Sequence, residues 1–456
     1  MTISEKYQNR NADVDGFLNK FGNTFDFDRR LFAAAVAVNI AYCDALFHAG
    51  VLTRLESERI KNGLQTILKR AAFYQDYFEE PAATDVHSFI EVRLVQLIGE
   101  TGEKISIGRS REDQSNTAFR LWLRQEIEEI SGGARALQTA VVGAGERQKE
   151  AVLPAYAHSR KAQPILWAHW CLAYYEMLVR DRERLDEVWR RVNVMPLGAA
   201  DLTGTSFEID REQIAAALGF EGITANSLDA AADADFAVET VGALALLMIH
   251  LSRLAEDLIL YSAPEIGFVR LSGEFSQSIR HQEFLELVRG KTVEIFGHQT
   301  ALCSLLKSLP LGVHKDLQAV KKTVFGAVDT VKSCLQIMIM VSENVRVDET
   351  VTLAAVTSDY LNAAELTDYL VQRNVSLKAA RKSVGEIVAY AVSLNKKLDD
   401  LSLEEFQKFS GFISADIFRA LSLEQSLASK NQFGGTAPER VFEALEMAKE
   451  NLQREG

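Results

Sequence analysis

An all-α fold is predicted by three observations: apolar residues recur at spacings of three and four along most of the chain, only seven prolines interrupt its 456 residues, and alternating strand-like runs are nearly absent. In chain order, one long helix is expected to start after Gln163-Pro164, where proline suits a first helical turn, and to run through Arg180-Asp-Arg-Glu-Arg184. The next spans Asp235 to Ser262, where Phe236, Val241, Leu244, Leu247, Met248, Leu251, Leu254, Leu258 and Leu260 leave polar residues mostly at the ends, so it should be buried on most sides. A third runs from Glu283 towards Leu306. Ser376, Ser402 and Thr436 mark starts of shorter helices; Ser402-Leu-Glu-Glu405 and Thr436-Ala-Pro-Glu439 read as capping boxes.

Soft boundaries near residues 105 and 355 divide the chain into an N-terminal helical domain (1–105), a central long-helix domain (106–355) and a C-terminal helical domain (356–456). No Gly/Ser- or Pro-rich linker, internal repeat or Gly-rich phosphate loop is found. Long helices apolar on much of their surface need several neighbours, which predicts an oligomer.

The composition, 47% hydrophobic and 25% charged, is that of a chain that folds. A net charge of −13 argues against nucleic acid or an anionic membrane as partner. The apolar run at Val241–Ile249 falls short of the roughly 20 residues a bilayer span needs. The start, Met1-Thr-Ile-Ser-Glu-Lys6, lacks the basic and apolar regions of a signal peptide, so a cytoplasmic protein is expected. Cys43, Cys171, Cys303 and Cys334 form no CxxC pair and read as small core residues, with no metal site or cofactor implied.

Two segments carry chemistry. Ile107-Gly-Arg-Ser-Arg-Glu-Asp-Gln114 offers two guanidinium groups and a hydroxyl, a combination suited to holding a carboxylate, phosphate or sulfonate. In Ala155-Tyr-Ala-His-Ser-Arg-Lys-Ala-Gln163, His158 can move protons near neutral pH, and Arg160 and Lys161 beside it would hold an anionic substrate.

Gly108–Gln114 followed by Phe119-Arg-Leu-Trp-Leu-Arg124 resembles the GRSRNDQ and LRLWLR segments of the argininosuccinate lyase branch of the fumarase/aspartase superfamily. Asp85-Val-His87 with Ile90-Glu91, Ala162-Gln-Pro164, Arg180–Arg184, Asn226–Asp229, Leu251–Leu258, Leu285–Lys291, Lys315–Gln318 and Gly434–Pro438 extend the resemblance over nearly the whole chain. It implies a fumarase-type all-α fold and a homotetramer whose active sites are shared between subunits. It also implies an elimination in which a base removes a proton next to an acidic group and a leaving group departs from the neighbouring carbon. His158 and Glu286 match the family's histidine–carboxylate pair, Ser110, Arg111, Gln318 and Lys321 match groups holding the substrate's acidic end, and His87 matches a pocket histidine.

The family's base is a serine on a loop reading GSSxMPxKxN, whereas this chain reads Phe275-Ser-Gln-Ser-Ile-Arg-His-Gln-Glu-Phe284, several residues shorter when its two flanks are aligned. Without gaps, Gly273, Ile279 and His281 fall under the family's serine, lysine and asparagine. Ser278, with Ser276 second, is then the expected base, and Arg280 and His281 the expected electrostatic groups. Ala157, Glu112, Ser159-Arg160 and Val313 replace a threonine, an asparagine, a leucine-glutamine pair and a tyrosine.

These changes lead to the expectation of a small, highly anionic substrate held by Arg160, Lys161, Arg280 and His281, for example loss of phosphate from phosphosulfolactate to give sulfoacrylate in coenzyme M synthesis. The alternatives are ordinary cleavage of argininosuccinate to arginine and fumarate, or a non-catalytic structural or regulatory relative.

Overall fold

The computed structural model describes residues 21–74, 76–79, 83–271, 281–358 and 360–454. Helices dominate, as the apolar spacing predicts. Five of them have 26 residues or more among the described residues: α2 (Arg111–Arg147), α3 (Trp167–Val192), α5 (Asp235–Ser262), α6 (His281–Leu306) and α7 (Gln318–Asn344). Two shorter ones bear on the site, α1 (Val86–Ile98) and α4 (Ser227–Ala232). The expected Asp235–Ser262 helix has those bounds, and the third expected helix begins two residues earlier, at His281.

Strands are few and short. The described residues hold three two-stranded sheets, one of them the hairpin of β1 (Val152–Ala157) and β2 (Arg160–Leu166). This corrects the reading of Pro164 as a first helical turn: it pairs with Pro154 across the hairpin, and α3 starts at Trp167. A two-stranded ribbon has two outer edges, so a residue with no N–H to donate is tolerated there.

Packing divides the chain into two compact units, residues 1–131, 183–246 and 293–331 in one and 132–182, 247–292 and 332–456 in the other, so each long helix contributes to both. In the first unit the core gathers Leu31, Tyr42, Leu46, Ile60, Leu64, Ile90 and Leu94, all essentially inaccessible. Burying each such side chain stabilises the fold by about 1.5–3 kcal/mol. The second unit holds two clusters, one of Leu366, Leu370, Ile387, Phe406 and Ile417, and one joining Val142, Leu166 and Leu172 to Leu427, Val441 and Leu445.

Ser402 and Glu405 form the expected capping box, and Ser376 accepts from the Ala379 N–H. Thr436 does otherwise. Its hydroxyl accepts from the backbone N–H of Leu166 at 3.1 Å, tying the last helix to β2. Cys43, Cys171 and Cys334 are buried, but Cys303 is exposed on α6 and is not the core residue expected. Two segments, Phe25–His48 and Lys315–Asn344, are long and apolar enough to cross a membrane, yet 61% and 50% of their most apolar stretches are buried within the chain, which their packing role explains.

Candidate active site

Within the first unit, the start of α2 is built around Ser110. Its hydroxyl accepts the Asp113 N–H at 3.0 Å and donates to the Ala200 carbonyl at 2.9 Å. Gly108, at φ +75°, allows the approach, because a Cβ there would lie 2.5 Å from the Phe207 ring. Ser110 thus caps the start of α2 and is not among the residues that line the neighbouring cleft. The two arginines of the motif also part company. Arg109 donates to Asn39 Oδ1 at 2.6 Å and lies 5.0 Å over the Tyr42 ring, and burial pushes its pKa down to about 10. Arg111 faces a cleft.

Helical spacing brings Arg111, Glu112, Ser115, Asn116 and Phe119 of α2 onto that cleft. His87 of α1 and His314, Lys315, Gln318 and Lys321 at and before the start of α7 also line it, as do Thr24, Asp85, Asp233 and Phe236. Arg111 donates to Glu91 at 2.7 Å, with its other terminal nitrogen 3.7 Å from Asp85. Lys321 lies 3.4 Å from the carboxylate of Asp28 and 3.2 Å from the Ser115 hydroxyl. Asp28 also accepts from the Thr24 hydroxyl at 2.7 Å and the Val86 N–H at 3.1 Å; burial nevertheless raises its pKa against the pull of Lys321.

His87 is 1% exposed, and neither ring nitrogen meets a hydrogen-bond partner among the described residues. Burial first, then the positive charges of Lys321, Arg111 and Arg109, holds it well below the usual imidazole range, so it is a neutral ring beside cations. Of the sequence-predicted ligands, Arg111, Glu112, His87, Gln318 and Lys321 share this cleft. Ser115, Asn116, Asp85 and Asp233 were not foreseen. The signal for the first two was available, one helical turn beyond Arg111 and Glu112 on the same face.

Beneath the cleft, Asp113 accepts the N–H groups of Gly198 and Ala200, both at 3.1 Å, and holds a loop in which Ala200 has φ +50°. Burial raises its carboxyl to about 7, with these N–H groups and Arg109 opposing. The folded state therefore holds this proton more tightly than the unfolded chain does. That contribution favours folding in acid and is lost as pH rises from about 4 to about 7. Asp113→Asn keeps an acceptor oxygen without the titration. In thermal melts the wild type should lose stability relative to this variant as pH rises through that window; parallel pH profiles would contradict the assignment.

In the second unit, His158 and Ser159 form the two-residue turn of the β1–β2 hairpin, with φ of +52° and +58°. His158 and Arg160 are exposed, and Lys161 extends to the Ser358 hydroxyl at 3.4 Å. Glu286 is exposed on α6, 3.9 Å from Arg289. Among the described residues His250 pairs with Asp181 at 2.6 Å, inside the second unit. Ser276, Ser278 and Arg280 lie outside the described residues, as does the side chain of His281.

A family profile described as Lyase matches residues 9–279, and one described as Argininosuccinate lyase C-terminal matches residues 360–428. An EDDS lyase variant with bound fumarate superposes with a TM-score of 0.81 at 25% identity, over 94% of this chain and 87% of that chain. The architecture is thus that of the fumarase-type lyases. Argininosuccinate lyase of Desulforudis audaxviator is 40% identical over 97% of both chains, and that of Alkalilimnicola ehrlichii is 41% identical over 96% of this chain and 95% of its own. This chain belongs to the argininosuccinate lyase family.

Membership corrects the expectation of phosphate loss from phosphosulfolactate and of a place in coenzyme M synthesis, because relatives that match nearly end to end are named for carbon–nitrogen cleavage. The cleft gives a physical reason. Asp85, Glu112 and Asp233 line it together with Arg111, Lys315 and Lys321, a mixed-charge wall rather than one built for a highly anionic phospho-sulfonate.

Proposed function

We propose that the chain cleaves argininosuccinate to arginine and fumarate. The observation that carries this reading is the convergence of Arg111, His87, Gln318 and Lys321 on one cleft, in a chain matching argininosuccinate lyases over nearly its full length. The cations hold a substrate carboxylate and oppose the negative charge that develops when the neighbouring carbon loses its proton. The carbon–nitrogen bond then breaks, leaving fumarate, and the leaving nitrogen takes a proton. His158 supplies acid–base chemistry, presented outward on its hairpin to a cleft of another copy, with Glu286 completing the pair across subunits.

A homotetramer is part of the same proposal. Along α6, Phe284, Leu287, Val293 and Phe296 are between 38% and 68% exposed, apolar surface that suits other copies of the chain. Light scattering tests it, with four copies expected and a monomer contradicting it. A cytoplasmic location is proposed with it.

The test of activity is to incubate purified protein with argininosuccinate and follow fumarate by ultraviolet absorbance. A second reading, in which the cleft binds argininosuccinate without turning it over, is favoured by one observation: Phe275–Phe284 lacks the GSSxMPxKxN segment. Calorimetric binding without fumarate release identifies that case.

A further inference from the structure

Several polar atoms in the cleft wall are buried and meet no hydrogen-bond partner among the described residues: Arg111 Nη1, both ring nitrogens of His87, and Asn116 Oδ1. Arg111 and neutral His87 both offer N–H donors, which a carboxylate satisfies. Asn116 makes the opposite demand.

The Asn116 amide is not free to turn. Its Nδ2 donates to the carbonyl oxygen of Ala230 in α4 at 3.2 Å. A carbonyl oxygen can only accept, so the amide must present its NH2 end to Ala230, and this fixes Oδ1 as the remaining acceptor. Two nearby cations already have acceptors. The Lys321 ammonium lies between Asp28 and the Ser115 hydroxyl, and Arg120 pairs with Asp233 and donates to the Arg191 carbonyl at 3.1 Å. A buried acceptor without a donor costs free energy that an incoming donor recovers. The carboxylates of Asp85, Glu112 and Asp233 on the same wall favour a donor that carries positive charge.

We propose that Asn116 is a specificity-determining residue, whose Oδ1 accepts a hydrogen bond from an N–H group of the ligand while Arg111 and His87 hold its carboxylate. The cleft thereby selects carboxylates that also carry nitrogen over bare dicarboxylates. The inference rests on the carbon–nitrogen cleavage reading for its substrate, though not for its geometry. For that reaction it means that the nitrogen-bearing substrate is held more firmly than fumarate, which has no N–H and leaves.

Calorimetry on the full chain tests this with two probes that share one carbon skeleton, succinate and aspartate. Wild type should bind aspartate more tightly. Asn116→Ala and Asn116→Leu, either of which suffices if it folds, should weaken aspartate about tenfold, or about 1.4 kcal/mol, and leave succinate within about twofold. Equal weakening of both probes, no weakening of either, or no preference for aspartate in the wild type overturns the inference. Fumarate release from argininosuccinate, measured in parallel, separates it from the reaction: probe selectivity without fumarate removes the reaction and keeps the role of Asn116. Full activity with unchanged KM in both variants does the reverse.

Discussion

Lys321→Met is expected to cost about 3–5 kcal/mol of stability, because it leaves a buried carboxylate without its cation. Asp28 is fully buried and Lys321 is 12% exposed, so water cannot replace the lost partner. The Thr24 hydroxyl and the Val86 N–H remain, and they are too few to keep the group ionised. Asp28 already has a raised pKa, and loss of the ammonium raises it further. Protonation then relieves the unpaired charge, so the deficit of the variant should shrink as pH falls. Denaturant unfolding across pH checks this. Adding Asp28→Asn to Lys321→Met should restore most of the stability without restoring argininosuccinate cleavage, since the neutral pair no longer holds a charge in the cleft. If the double variant stays as unstable as the single one, the ion pair is not the cause.

His158→Asn should separate stability from activity more sharply than any other change. Two successive non-glycine residues with positive φ strain the hairpin, at a cost of about 1–3 kcal/mol each. A turn selected for folding alone would carry Asn-Gly there. Asparagine tolerates the left-handed region, so the variant should melt at or above the wild-type temperature. Its kcat should fall by about two to four orders of magnitude, the usual contribution of a positioned acid or base, with little change in KM. Unchanged kcat would remove His158 from the reaction.

How much of this was legible in the sequence depended on how many residues carried each signal. The Asp235–Ser262 helix was readable because its apolar positions repeat over many turns. The hairpin before α3 was not, since Pro164 suits a first helical turn and an outer strand equally well, and only its pairing with Pro154 decides between them. Thr436 misled in the same way: the hydroxyl expected to cap its own helix serves the backbone of Leu166, a partner far away in sequence. In the cleft, the charged residues Arg111 and Lys321 announced themselves. Asn116, neutral and one turn further on, gained meaning only when Ala230 fixed its amide. Glu112 and one short loop point away from argininosuccinate, and a match along the whole chain outweighs both.

Carbon–nitrogen elimination in this cleft is tested by fumarate formation from argininosuccinate with the purified wild-type protein. Fumarate and arginine are expected in equal amounts, with the reaction lost in His158→Asn. Argininosuccinate that binds but stays intact, or fumarate released at the same rate by wild type and His158→Asn, would contradict it.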